Sequence, residues 1–123
     1  GLPAFLRPAA DALQGEAAGH PAASILAACF IADDLGAFLE FCAGQVMPAA
    51  SPATRNNIKP YVDAIRAIGA EHAILSSDLG QPENPDPMDG WKLYLDMLRK
   101  GGITNAELDR MAKTNPATLL GLK

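Results

Sequence analysis

Apolar and polar positions change their period several times along the chain, and each change predicts an element. Phe5, Leu6, Ala9, Ala10 and Leu13 recur at helical spacing over residues 4–14, interrupted by Pro8, before Gly15 and Gly19 end the pattern. Ile25, Leu26, Cys29 and Phe30 then form the apolar stripe of a helix opened by Pro21 and stopped by Gly36. Ala37 to Cys42, AFLEFC, is compact, aromatic-bearing and bounded by Gly36 and Gly44, which predicts a strand. A loop with two prolines, Met47 to Pro52, comes next. Ile58, Tyr61, Val62, Ile65 and Ile68 mark one face of a helix over 58–68. Asn56 or Asn57 is placed to cap it, Pro60 falls in its tolerant first turn, and Gly69 ends it.

The period changes again at His72 to Ser77, a short and mostly apolar run that predicts a strand buried on both faces. It runs into Asp78, Gly80 and the loop QPENPDPMD. Asp89 is the expected cap of a helix reaching Lys100, with Trp91, Tyr94, Leu95 and Leu98 on its buried face and Gly101-Gly102 as the stop. Thr104 and Glu107 have the spacing of a capping box, and Ile103 that of a staple onto Leu108. A helix over 105–113 is expected after them, and Asn115-Pro116 restarts a short terminal helix closed by Gly121.

Strand, helix and strand across 37–77 make a βαβ unit, whose crossover is expected to be right-handed. The chain then divides into a helical lead-in over 1–35, this unit over 36–80, and a loop with closing helices over 81–123, within a single domain or fragment. The predicted fold class is α/β. Two parallel strands leave both edges open, and parallel sheets occur with both faces covered. Three completions are open: a segment of a (β/α)8 barrel, which takes about 250 residues in all; a sheet finished by a partner chain, a homo-oligomer included; or a mostly helical fold with these runs in its core.

Composition narrows the function classes. A 49 % hydrophobic and 20 % charged chain of 123 residues is an ordinary globular one, not a disordered one. Its net charge of −4, without any Lys/Arg cluster, gives nucleic-acid binding no electrostatic support. No apolar run is long enough to span a membrane, and the first residues lack the charged start and apolar centre of a secretory signal. The two cysteines, Cys29 and Cys42, have no CxxC or Cys/His spacing and fit free thiols in a reducing cytoplasm.

The candidate chemistry centres on Asp78. In α/β folds functional groups sit beyond the carboxyl ends of parallel strands, and Asp78 stands there. Ser76 and Ser77 precede it without a Gly-x-Ser-x-Gly elbow, so a serine nucleophile is disfavoured. Glu40, inside the first strand, reads as an edge or a site residue. His72 starts the second strand, about 20 Å from its far end, and reads as structural. The acidic loop Glu83, Asp86, Asp89 lacks the pattern of a calcium-binding EF-hand. Met88, Met97 and Met111 read as core filling.

Three stretches together carry a family resemblance. GAFLEF (Gly36–Phe41), IRAIGAEHAILSSDLGQ (Ile65–Gln81) and ITNAELDRMAKTNPATLLGL (Ile103–Leu122) resemble, in order and spacing, the carboxyl-terminal portion of amidohydrolase-superfamily metal-dependent hydrolases. The resemblance implies strands seven and eight of a (β/α)8 TIM-like barrel followed by its closing helices. It implies that Asp78 is a ligand to a divalent metal, zinc by expectation, and the acceptor of a proton from the attacking water. His20, in a His-Pro pair, matches a histidine ligand at the end of the sixth strand. The implied reaction is hydrolysis of a C–N or C–O bond in a small-molecule substrate. The His-x-His pair of the family's first strand has no counterpart here: His20 and His72 are the chain's two histidines. A complete metal site therefore needs residues from a missing barrel half. The rival expectation is a non-catalytic interaction or assembly module.

Overall fold

The computed structural model describes residues 35–122. The expected helices over 4–14 and from Pro21, together with His20 and Cys29, lie outside the described residues. Within them the protein is α/β. Strand β1 is Leu39–Cys42 and strand β2 is Ala73–Ser76, each shorter than the apolar run that predicts it. The two pair in parallel, Leu39 opposite Ala73 and Cys42 opposite Ser76. Among the described residues they are the whole sheet.

Side chains alternate between the faces of a strand. Phe41, Ala73 and Leu75 therefore enter the core with Leu39 packed beside them, while Glu40, Cys42, Ile74 and Ser76 share the opposite face. Helix α1, Lys59–Ile68, lays Tyr61, Ala64, Ile65 and Ile68 on the core, as its periodicity predicts. Its cap is partial. Asn57 Oδ1 accepts from the Lys59 amide at 3.2 Å, while Asn56 takes a positive φ of 57° that closes the preceding loop onto Val46. Gly69 ends the helix at φ 87°, and residues Ala70–His72 form a short 3₁₀ helix before β2.

Helix α2, Pro87–Lys100, starts ahead of the expected cap. Asp86, not Asp89, is its N-cap, accepting from the Met88 amide at 3.0 Å. Pro87 explains the shift: a proline belongs at the first helical position, where its missing N–H is not needed and its φ is already set. At the other end the Gly102 amide bonds Arg99 O and the Ile103 amide bonds Leu98 O, both at 3.0 Å, with Gly102 at φ 101°. That is a Schellman closure, and Leu98 and Ile103 bury together in the core beside it.

The capping box of helix α3, Asn105–Asp109, is formed in both directions, and Ile103 and Leu108 are both buried. Arg66 of α1 bonds Glu107 and donates to Gly102 O at 2.6 Å, tying the two helices. The guanidinium and the Thr104 groups hold the Glu107 carboxyl below its ordinary range. The end of the chain departs from expectation. There is no restart at Asn115-Pro116; a π turn over Arg110–Thr114 carries α3 continuously into helix α4, Asn115–Leu119. Pro116 lacks an N–H and its ring crowds the carbonyl four residues back, so a widened turn ahead of it replaces a break. Met111 and Met97 pack in or against the core, but Met88 is 65 % exposed and fills nothing. Met47, from the expected loop, is fully buried.

Candidate functional site

The carboxyl ends of β1 and β2 lie side by side, and the turn after each strand builds the site. After β1 the chain turns into a 3₁₀ helix, Ala43–Val46. After β2 it continues through Ser77 to Asp78. The Gly44 amide donates to Ser77 O at 2.9 Å, so the two turns are joined beyond the last strand pair. Asp78 is exposed and left-handed, at φ 48°. Its neighbour Leu79 tucks back against the core, over Gly90 of α2. Asp78 is thus presented to solvent between two anchored neighbours.

Behind the site stands a row of rings. Tyr61 Oη donates to Cys42 O at 2.9 Å, and Tyr94 Oη donates to Phe41 O at 2.8 Å. Phe41 and Tyr61 meet edge-on at 5.1 Å between centroids, Tyr61 and Tyr94 at 6.3 Å, and Trp91 leans on Tyr94 at 5.7 Å. Such pairs add about 0.5–1.5 kcal/mol beyond area burial and fix ring orientation. The last two carbonyls of β1 are therefore held by side chains from two different helices.

Burial, reinforced by the Asp78 carboxylate and by Cys42 once its thiol ionises at alkaline pH, pushes the Tyr61 hydroxyl up to about 12. Burial pushes Tyr94 well above its ordinary value too. The raised Tyr61 value contributes stability that is intact below the ordinary tyrosine range near pH 10 and is lost as pH rises from there through about 12, and Tyr94 acts in the same direction. These are the two tyrosines of the chain, so tyrosinate absorbance near 295 nm reads them without ambiguity. The native protein is expected to show no ionisation step at pH 10, and the urea-unfolded chain to show a full one. A native step at pH 10 would mean that these hydroxyls are solvated.

On the other sheet face Ser76 Oγ lies 3.2 Å from Cys42 Sγ, as its donor, and the thiol points to Glu40 Oε1 at 3.7 Å. Burial raises the Cys42 thiol above its ordinary range; the Ser76 hydroxyl opposes this, and the Glu40 and Asp78 carboxylates add to it. Cys42 is thus a protonated free thiol, not an activated nucleophile. Its place within electrostatic reach of Asp78 is a feature that spacing alone does not reveal. Glu40 resolves as an exposed residue on this face. His72 lies at the opposite end of β2, in the turn before it, beside Glu71 at 3.9 Å. Glu83 and Asp89 are exposed, and Asp86 is engaged in capping.

Metal chemistry at this end begins from the exposed carboxylate of Asp78. Among the described residues no three His, Cys, Asp or Glu side chains come together to hold a metal ion. The described donors thus fall short of the three protein ligands a divalent centre takes. Nor is any described helix long and apolar enough to cross a membrane. Comparison with protein-family models, with curated proteins and with solved structures finds no match to the chain.

Proposed function

We propose that this chain is the closing segment of a metal-dependent hydrolase barrel, with Asp78 as its acceptor carboxylate. One observation carries the reading: a left-handed, solvent-facing aspartate, fixed on both sides, at the carboxyl end of a parallel strand pair. Reactive groups collect at that end in parallel α/β architectures. The family resemblance of Ile65–Gln81 points to the same residue. A divalent metal, zinc in this reading, would supply the acidity that makes water a nucleophile near neutral pH. Asp78 would orient that water and take its proton at a carboxylate oxygen. His20 is proposed as a ligand, and the others come from strands beyond this pair. The substrate is a small molecule with a hydrolysable C–N or C–O bond.

The test uses the protein expressed from its whole reading frame, loaded with Zn²⁺ or Mn²⁺ and offered a panel of simple amides and esters. Asp78→Asn keeps the size of the side chain and tolerates the left-handed backbone, but it removes the base. It is expected to lower kcat by about 100-fold or more, with little change in KM. Equal turnover by wild type and variant would remove Asp78 from the chemistry.

A second reading, a non-catalytic assembly module, has its own observation. A groove of about 550 Å³ on the sheet face away from the core is lined by Phe38, Glu40, Ile74 and the exposed Leu119 among others, and Leu35, Leu120 and Leu122, close to its lining residues in sequence, are exposed as well. Failure of the whole protein to take up Zn²⁺ or Mn²⁺ at all would favour it.

A further inference from the structure

We infer that Gly44 is a positioning residue for Asp78, holding the aspartate left-handed by letting its backbone lie against the turn after β1. This role rests on the proposed role of Asp78 and deepens it.

Two facts meet at Gly44. Its amide donates to Ser77 O at 2.9 Å, and a Cβ on it would stand 2.8 Å from the Asp78 carbonyl oxygen and 3.7 Å from Asp78 Cβ. The nearest obstacle is backbone, not the movable end of a side chain, so any residue but glycine pushes the Asp78 peptide away. The φ of Gly44 is not the reason, since it lies outside the left-handed region. The requirement is close approach, the second use of a glycine.

Asp78 itself is the anomaly that this contact accounts for. At the other described positions with positive φ the chain has glycine at 36, 69, 80, 102 and 121, and asparagine at 56. A glycine at 78 would make the same turn without strain. An aspartate there keeps a carboxylate in a conformation that a side chain disfavours, and such outliers persist where the surroundings over-determine them. Gly44 on one side and the Leu79–Gly90 contact on the other supply that determination.

The experiment compares Gly44→Ala with Gly69→Ala and Asp78→Asn in the metal-loaded product of the whole reading frame. Gly69 is the control: its φ is 87°, an added Cβ would meet the Glu71 carboxylate, and it lies at the opposite end of β2. Both glycine variants should lower the melting temperature. Gly44→Ala alone should shift the Asp78 Cα and Cβ resonances and cut kcat on the amide and ester panel by about 10- to 100-fold, with KM within about twofold. Gly69→Ala should leave kcat per folded molecule unchanged.

Full turnover by Gly44→Ala beside an inactive Asp78→Asn would overturn the inference while leaving the role of Asp78 intact. An active Asp78→Asn removes both. If Gly44→Ala does not fold, hydrogen exchange in the wild type decides. A Gly44 amide protected like those of β2 sustains the clamp, and one exchanging like the Gln81–Asn84 loop refutes it.

Discussion

Replacing Tyr94 with alanine is expected to remove about 4 kcal/mol of stability, within the range for deleting a large buried aromatic. Against a whole-domain stability of about 5–15 kcal/mol, that loss removes between about a quarter and four fifths of the total. Two effects combine. The ring is fully buried at the centre of the row that joins α2, α1 and β1, so its removal leaves a cavity walled by Tyr61, Trp91 and the helices. Its hydroxyl also satisfies Phe41 O, and an orphaned buried carbonyl costs about 1–3 kcal/mol by itself. Tyr94→Phe separates the two, because it keeps the ring and loses only the hydrogen bond, for about 1–2 kcal/mol. Urea melts followed by circular dichroism measure both variants. An alanine variant within about 1 kcal/mol of wild type would contradict the packing described behind β1.

Asn115→Ala is the second large loss, about 2–4 kcal/mol. Asn115 is 3 % exposed, and its amide nitrogen donates to Ala70 O at 2.8 Å and Ala73 O at 2.7 Å. One side chain on α4 thus satisfies two buried carbonyls at the start of β2, and water cannot easily replace it there. Asn115→Asp sharpens the test. At neutral pH it turns a carboxylate toward two carbonyl oxygens, so it should be worse than alanine. The folded pKa of that carboxyl is raised, so stability should return as pH falls below it, when the group donates again. Equal stability of the Asp variant at pH 4 and pH 7 would show that Asn115 does not face those carbonyls.

What the sequence discloses divides along a physical line. Features set by local periodicity are legible: the face of α1 from Ile58 to Ile68, that of α2 from Trp91 to Leu98, and the box of Thr104 and Glu107. So is the order strand, helix, strand, since Gly36 and Gly69 punctuate it. Features set by contacts distant in sequence are not. The π turn carries no composition signal; its place depends on Pro116 and on Asn115 reaching carbonyls more than forty residues earlier. Asp86 and Asp89 are equivalent as caps until Pro87 is given its place at the helix start. Met47 lies in a proline-flanked loop and buries because the 3₁₀ helix before it turns inward.

The candidate site is legible to the same extent. Asp78 is visible as a carboxylate where an apolar run stops. Its left-handed backbone, the closeness of Gly44 and the company of Cys42 depend on the parallel register, which sets Cys42 opposite Ser76. Hydroxyls of Tyr61 and Tyr94 serving β1 carbonyls have no signature at all, because each tyrosine also fits its helix as an ordinary apolar position.

The ring row has one more consequence, and it is optical. Trp91 is the only tryptophan in the chain and sits at the end of a contact series that begins at Phe41, inside β1. Tyrosine excitation therefore has an indole acceptor in direct contact, and indole emission senses the polarity of a half-covered pocket. The molecule carries its own unlabelled fluorophore, coupled through two tyrosines to the strand that adjoins the site. Any ligand that shifts β1 can be followed in the emission of a single residue.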